Sequence, residues 1–407
     1  MRTAETLSGL AAFERRGAGT DAERRAAAWL RHELEDGGRE AATEPIWCRP
    51  NWAAAHAWHV ATALAGSLLA VGTPWLGCGL IALALASLIA DARFGRSAGR
   101  RLTFERASQN VVAPAPALSS DREPRVRLIL TANYDAARTG IAYANVLRRA
   151  ATKLGAATRA PGWLGWLAIA FVWLEAVAIA RATGSKGTAI AVAQLVPTVG
   201  LVLGLALLLE LAIAGFGPSA NDNASGVAVA IAIARALDAA PPRHVAVDVV
   251  LAGAGDGQPT GLGLHLKARK RTLTNQNTVV VGIAPTGAGE PRWWVSDGPL
   301  LPLAYFAQLR SMCSDLAAGE PELHAHPHRG RGTTPALAAR LRHLPAITIG
   351  ALDDSGLAPR SHQPGDTPDS IDTSALDRAV EFGLLLVDAI DASLRPAATP
   401  STAPASM

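Results

Sequence analysis

Three carboxylates and one imidazole in this sequence are of the types that bind divalent metal ions or transfer protons. Asp222 lies in "SANDNASG", Asp135 ends "ANYD", Asp256 follows "AGAG", and His362 lies in "SHQPGDT". Carboxylate oxygens and imidazole nitrogens suit zinc or a similar ion. Simpler interpretations stay open: Asp222 as a helix N-cap, Asp135 as a turn former, and His362 as a hydrogen-bonded loop histidine.

The positions of these residues in the chain favour a shared site. Asp135 ends an apolar strand at 125–135, and Asp256 follows another strand at 244–255. Asp222 begins an apolar helix. Sites in open α/β sheets form beyond the carboxyl ends of the strands. We therefore expect these side chains to meet at one edge of a sheet.

Strands alternate with helices along the soluble parts of the chain, which predicts an α/β fold with a mostly parallel sheet flanked by helices. Predicted strands cover 110–115, 125–135, 244–255, 277–285, 292–297 and 344–350, and predicted helices cover 21–38, 222–238, 260–270, 299–315 and 370–394.

The composition indicates that part of the chain lies in a lipid bilayer. Of 407 residues, 49% are hydrophobic and only 18% are charged, whereas soluble domains are about one quarter charged. The mean hydropathy is +0.19. Two apolar blocks at 52–91 and 161–216, each with a break near its middle, predict two inserted transmembrane helical hairpins and so four spans. The alternative is a pair of buried hairpins in a soluble core.

Charged residues around these blocks predict the orientation of the protein. Basic residues follow the first block and precede the second, whereas the turn inside the second block carries only Arg181 and Lys186. The positive-inside rule then places the soluble domain on the cytoplasmic side of the cell (inner) membrane, with multi-pass anchoring. Glu175 and Glu210 lie in or beside the second block as functional candidates, and Gln194 is a possible partner of Glu175.

Several classes of function are disfavoured. The net charge is only +4, and no basic, aromatic-interleaved motif predicts nucleic-acid binding. The three cysteines form no C-x-x-C pair and suit a reducing compartment. Alternating histidines at 324, 326 and 328 are interrupted by Pro327, so we interpret them as an exposed loop rather than a metal site.

Composition divides the chain into six parts. They are an N-terminal helical segment (1–50), a first hairpin (52–91), the first part of the α/β domain (105–160), a second hairpin (161–216), the main part of the α/β domain (217–395) and a tail (396–407). The tail is rich in Pro, Ala, Ser and Thr, which predicts disorder.

The order of the motifs resembles that of the co-catalytic zinc aminopeptidases of clan MH, family 28, which also include glutamate carboxypeptidases and glutaminyl-cyclase relatives. The stretches "ANYD", "SANDNASGVA", "AGAGDGQPTGLGLHL", "VVVGIAPTG" and "SHQPGDTPDSID" follow in the family's order, over roughly 105–140 and 217–390. The second hairpin is inserted between the first two motifs.

This resemblance implies a role for each candidate. Asp222 corresponds to the carboxylate that bridges two zinc ions, and His362 corresponds to an imidazole ligand. Asp256 falls at a glutamate ligand and is one methylene shorter. Asp135 corresponds to the aspartate that orients the first metal-binding histidine. Together these correspondences imply a metal set of Asp222, Asp256 and His362.

Three other positions depart from the family's pattern. Asn133 stands at the first histidine ligand, Ala284 (or Pro285) at the aspartate ligand of the third strand, and Gly255 at the general base. The resemblance then implies one zinc ion or none, because the second metal loses its ligands. A general base contributes about 10²–10⁴-fold to rate. Asp256 is left as the candidate base, although it cannot easily be ligand and base together.

Two functions follow as expectations. The first is a membrane-bound metallopeptidase-family, aminopeptidase-like protein with an eroded di-metal site, a hydrolase of reduced activity on peptides or small amides. The alternative is a catalytically inactive relative that binds a partner or acts as a scaffold at the bilayer. A third, a carrier that uses the intramembrane acids, has less support. The sequence names no protein partner.

Overall fold

The computed structural model describes residues 2–116, 124–158 and 161–395. The predicted tail at 396–407 lies outside them. The strands are β1 (Ala42–Cys48), β2 (Arg106–Ala113), β3 (Val126–Asn133), β4 (Val245–Ala252), β5 (Thr278–Ile283), β6 (Glu290–Asp297), β7 (Leu303–Ala304), β8 (His326–Arg329) and β9 (Ala346–Leu352). The α-helices are α1 (Arg2–Ala11), α2 (Asp21–Glu35), α3 (Trp52–Leu69), α4 (Pro74–Phe94), α5 (Ala98–Arg101), α6 (Asn145–Thr158), α7 (Trp163–Ala182), α8 (Thr188–Ile213), α9 (Gly226–Ala239), α10 (Thr260–Ala268), α11 (Ala307–Gly319), α12 (Leu337–Leu341) and α13 (Thr373–Ser393).

All the strands belong to one sheet in the order β1-β2-β4-β3-β5-β9-β6-β7, with β8 beside β6. The four central strands, β4, β3, β5 and β9, are parallel. The pairs β1–β2, β2–β4, β6–β9 and β6–β7 are antiparallel. The sheet is therefore mixed: its centre and the β6–β8 pair are parallel, as predicted for most of the sheet, and the other pairs are antiparallel. The central strands are buried on both faces and read as continuous apolar runs, which is typical of parallel strands.

Three strands escaped prediction because their sequences lack a strand pattern. β1 lies in the segment predicted to be helical, and Pro45 suits its position at the edge of the sheet. β8 contains Pro327 and lies where we expected an exposed loop. The two-residue β7 occupies part of the stretch predicted as the start of a helix, so α11 begins at Ala307 instead of 299.

Helices cover both faces of the sheet. One face packs against α1, α2, α9, α11 and α13 in the main apolar core. The other face packs against α10 and α12 in a smaller core. This arrangement confirms an α/β fold flanked by helices. It leaves the carboxyl ends of the parallel strands open for a site.

A four-helix bundle of α3, α4, α7 and α8 forms a separate apolar cluster. In the first hairpin the helices approach closely at Gly66 and Gly77, where a Cβ on Gly77 would lie 2.6 Å from the Gly66 oxygen. Pro74 begins α4 and Gly95 ends it in the left-handed conformation, with φ of 65°.

Three of the four predicted spans have helices long and apolar enough to cross a bilayer: α4 with 21 residues, α7 with 20 and α8 with 26. The fourth, α3, has 18 residues and does not meet this description. It carries two buried histidines, His56 and His59, and packs against both α4 and α8. The prediction of four apolar spans is thus wrong for α3.

The two hairpin turns lie at the same end of the bundle. Gln194 of α8 donates to the Ser67 hydroxyl of α3 at 3.1 Å and accepts from Arg181 of α7 at 2.8 Å. These bonds occupy Gln194, and among the described residues it has no hydrogen bond to Glu175, so the expected pair is not formed. At the other end, the Asn51 amide donates to the Ala212 oxygen at 3.0 Å.

A buried polar network joins the first hairpin to the α/β domain. Arg100 donates two hydrogen bonds to the Asp91 carboxylate, at 2.8 and 2.9 Å. His56 Nε2 lies 3.4 Å from the same carboxylate. The side chain of Gln258, in the loop after β4, donates to the backbone carbonyl oxygen of Asp91 at 3.0 Å. The network fixes this loop, and with it the site, against the bundle.

Candidate functional site

One cavity at the carboxyl ends of the parallel strands collects the residues singled out from the sequence. Its volume is about 280 Å³. The sequence-predicted positions that line it are Asn133, Asp135, Asp222, Gly255, Asp256, Ala284 and His362. The expectation that separated segments converge is therefore confirmed, and the cavity is the candidate site.

Asp222 and His362 lie next to each other in the cavity. His362 Nε2 lies 3.6 Å from Asp222 Oδ2, and the Ser361 hydroxyl donates to the same oxygen. His362 Nδ1 lies 3.0 Å from the Arg138 carbonyl oxygen. A carbonyl can only accept, so Nδ1 carries a proton toward Arg138, and Nε2 is the ring atom that faces the Asp222 carboxylate. The ring stacks on Tyr143 with 4.0 Å between centroids.

Asp222 is not the N-cap of the following helix. That helix, α9, begins at Gly226, beyond an irregular turn that spans Ala220–Ser225. The turn is held by Asp366, whose carboxylate accepts from the Asn221 and Asp222 backbone N–H groups at 2.6 and 3.0 Å. Burial raises the pKa of Asp366 to about 6. The Asp222 side chain is thereby left free to face the cavity.

Arg16 ties together the two segments that carry Asp135 and Asp222. It is fully buried and donates to the carbonyl oxygens of Tyr134 at 2.9 Å, Pro218 at 2.8 Å and Ser219 at 2.6 Å. Burial lowers its pKa to about 10. Three charge-assisted bonds to backbone acceptors set the spacing of the two aspartates.

Asp135 joins the ends of two neighbouring strands. Its carboxylate accepts from the backbone N–H groups of Gly255 at 2.8 Å and Asp256 at 3.1 Å. Burial raises its pKa to about 7, against the effect of these bonds. The carboxylate therefore binds backbone here, whereas the family resemblance implies that it orients a histidine.

Asp256 is held by the first helical hairpin. The indole N–H of Trp52, the first residue of α3, donates to Asp256 Oδ2 at 3.2 Å. Trp52 also packs on Trp163 of α7, with 5.5 Å between ring centroids. Burial raises the pKa of Asp256. The bundle thus positions one of the carboxylates that line the site.

The Asn133 side chain fills the space that a side chain at position 255 would need. A Cβ at position 255 would overlap the side-chain amide of Asn133. The Asn133 Oδ1 atom is buried and has no hydrogen-bond partner in the part of the chain that the structure describes. With Asn133 in place, position 255 has no room for a side chain that could act as a base.

The model of peptidase family M28 matches residues 212–387, which include Asp222, Asp256 and His362. Residues 212–387 belong to this family. The resemblance inferred from the motif order is confirmed by this match. Among curated proteins, no sequence matches the chain.

Solved structures share this fold along nearly the whole chain. Glutaminyl cyclase from Porphyromonas gingivalis has 14% identity and a TM-score of 0.54, covering 95% of this chain and 96% of that one. A Zn-dependent exopeptidase from Parabacteroides distasonis has 13% identity and a TM-score of 0.51, with the same coverage. LapB from Legionella pneumophila has 10% identity and a TM-score of 0.53, covering 97% and 72%. At these identities the likeness concerns the fold alone.

The donors in the M28 site do not fit a two-zinc centre. Among the described residues, no group of three or more His, Cys, Asp or Glu side chains is arranged to hold a metal ion. Asp222 and His362 pair with each other, and Asp256 lines the same cavity with its Oδ2 bonded to Trp52, so the three-ligand set of Asp222, Asp256 and His362 stays a prediction. Catalytic zinc sites use three protein ligands.

Sequence reasoning missed several residues of the M28 site. Asp366 lies inside the quoted "SHQPGDT" motif, so its motif position was a usable signal. Trp52, Arg16, Arg148 and Arg331 reach the site from distant segments without a motif, and only the fold brings them there. His328 also lines the cavity, edge-on to a tryptophan ring.

Proposed function

We propose that this protein is a membrane-anchored member of the M28 family that binds a short peptide or small amide in its cavity without two-metal hydrolysis. The observation that carries the proposal is that position 255 has no room for a side chain. A side chain there would overlap Asn133, so the base that the family resemblance expects has no place. Loss of such a base lowers the rate by about 10²–10⁴-fold.

The cavity retains groups that suit a ligand with N–H donors. Asp222 and Asp256 line it, and both are anchored from one side, by Ser361 and Trp52. Anchored carboxylates receive an ammonium or amide group in a defined position and with charge-assisted strength. His362 Nε2, which faces Asp222, adds a further polar group to this part of the cavity.

Anchoring in the bilayer is supported by three long apolar helices and by the position of both hairpin turns at one end of the bundle. A 20-residue helix spans about 30 Å, which is the thickness of the hydrocarbon core. The positive-inside rule then places the α/β domain, which contains the M28 match, on the cytoplasmic side of a multi-pass anchor.

A one-zinc hydrolase is the second candidate, and the His362–Asp222 pair favours it. In metal sites, a ligand histidine donates its other ring N–H to a carbonyl or carboxylate, as His362 does to Arg138. With Asp222 and His362 as its only two ligands, such an ion would lack the third protein ligand that catalytic zinc sites use.

Measurements of zinc content, turnover and ligand binding on the full chain, purified in detergent, distinguish the two candidate functions. We expect far less than one equivalent of zinc by mass spectrometry, no turnover of aminoacyl p-nitroanilides with or without added zinc, and binding of L-alanyl-L-alaninamide that Asp222→Ala weakens. Near-stoichiometric zinc, together with turnover that chelator and Asp222→Ala both abolish, would establish the hydrolase instead.

A further inference from the structure

The cavity has a basic part that the family motifs do not account for. Arg148 and Arg331 both line it. Arg148 donates to the Ala358 carbonyl oxygen at 2.7 Å, which fixes its guanidinium at the cavity wall. Arg331 makes no hydrogen bond and no ion pair within the described part of the chain. A half-buried guanidinium that lacks an acceptor is a ready anion receptor.

The helix α6, which precedes the second hairpin, brings the two arginines together. Arg148 lies on α6, which precedes the second hairpin, and Arg331 follows β8. The Arg331 guanidinium lies directly over Gly155 of α6. Positions 148 and 155 are seven residues apart, so they share one face of the helix. The absence of a side chain at Gly155 gives Arg331 its place beside the cavity.

We infer that Arg148 and Arg331 form an anion subsite that takes the free carboxylate of a short zwitterionic ligand. The amino end of this ligand meets Asp222 and Asp256, so the inference rests on the proposed function. A guanidinium fork matches a carboxylate in shape and charge. The cavity of about 280 Å³ lies at the small end of ligand pockets. A dipeptide with both ends free combines this size with this charge pattern.

Calorimetric titration of the full chain in detergent tests the subsite. The probes are L-alanyl-L-alanine, its C-terminal amide and inorganic phosphate. We expect the dipeptide to bind about tenfold or more tightly than the amide, and Arg331→Gln to remove this preference while leaving amide binding unchanged. Gly155→Ala, which displaces the guanidinium but keeps its charge, is expected to weaken dipeptide binding several-fold.

The matched control is Arg329→Gln, which makes the same charge change at an exposed residue two positions away. It should leave both affinities unchanged. Equal binding of dipeptide and amide by the unmodified protein would overturn the subsite and leave the proposed function standing. Arg331-dependent phosphate binding without binding of either peptide would keep the subsite and overturn the proposed function. No binding of any probe would overturn both.

Discussion

At the scale of single residues, Gly255 and Asn133 depend on each other. Gly255→Ala places a methyl group against the Asn133 amide, and overpacking of this kind costs about 1–3 kcal/mol. We expect a lower thermal midpoint for this variant and recovery in the double variant with Asn133→Ala. Gly319→Ala is the control, because a Cβ there meets open space. Equal midpoints for the two single variants would contradict the overlap.

Glu23 predicts a pH dependence of stability. It is fully buried, and burial raises its pKa from 4.5 to about 8. Between these values the folded chain keeps a proton that the unfolded chain releases. Stability therefore falls as the pH rises from about 4.5 to 8, by at most about 1.4 kcal/mol per pH unit from this group.

Thermal midpoints measured from pH 5 to pH 8 check this slope. Glu23→Gln should flatten it, since the amide does not titrate, whereas the exposed Glu40→Gln should leave it as it is. A slope that survives Glu23→Gln would assign the pH dependence to other groups.

At the scale of elements, Trp52 links α3 to the cavity. Trp52→Phe keeps an aromatic ring but removes the N–H that binds Asp256. A lost hydrogen bond to a buried charged group costs about 1–3 kcal/mol. We expect a lower thermal midpoint together with weaker binding of L-alanyl-L-alaninamide. Trp75→Phe, at an exposed tryptophan of the same bundle, should change neither measurement. Unchanged ligand binding in Trp52→Phe would contradict a role of the bundle in positioning Asp256.

The sequence was sufficient for elements whose signal is local. The buried central strands and the segments that carry Asp135, Asp256 and His362 follow the prediction closely, whereas the helix predicted from Asp222 begins at Gly226. β1 and β8 were missed because each contains a proline and lacks the apolar pattern of a strand. They are strands because they pair with neighbouring strands of the sheet. The metal set of Asp222, Asp256 and His362 stays a prediction: motif order indicates which residues meet in the cavity, but no motif indicates Trp52, which binds the Asp256 carboxylate.

At the scale of the whole molecule, the two hairpin turns should lie across the bilayer from the M28 domain. The three native cysteines are buried, so an introduced cysteine reports alone. Ser185→Cys lies in the exposed turn between α7 and α8, and Ser8→Cys lies on the exposed face of α1. We expect a membrane-impermeant maleimide to label Ser185→Cys in intact cells and Ser8→Cys only after permeabilisation. Labelling of Ser8→Cys before permeabilisation would contradict this orientation.

The position of β3 in the sheet has a consequence for biosynthesis. Its two neighbours, β4 and β5, are both encoded after α7 and α8, more than a hundred residues downstream. At roughly 5–20 residues per second, a ribosome needs on the order of ten seconds to supply them. For that time the nascent chain carries an apolar strand with both edges open, which invites aggregation. The second hairpin is therefore synthesised before the sheet can close, and the candidate site is among the last parts of the molecule to form.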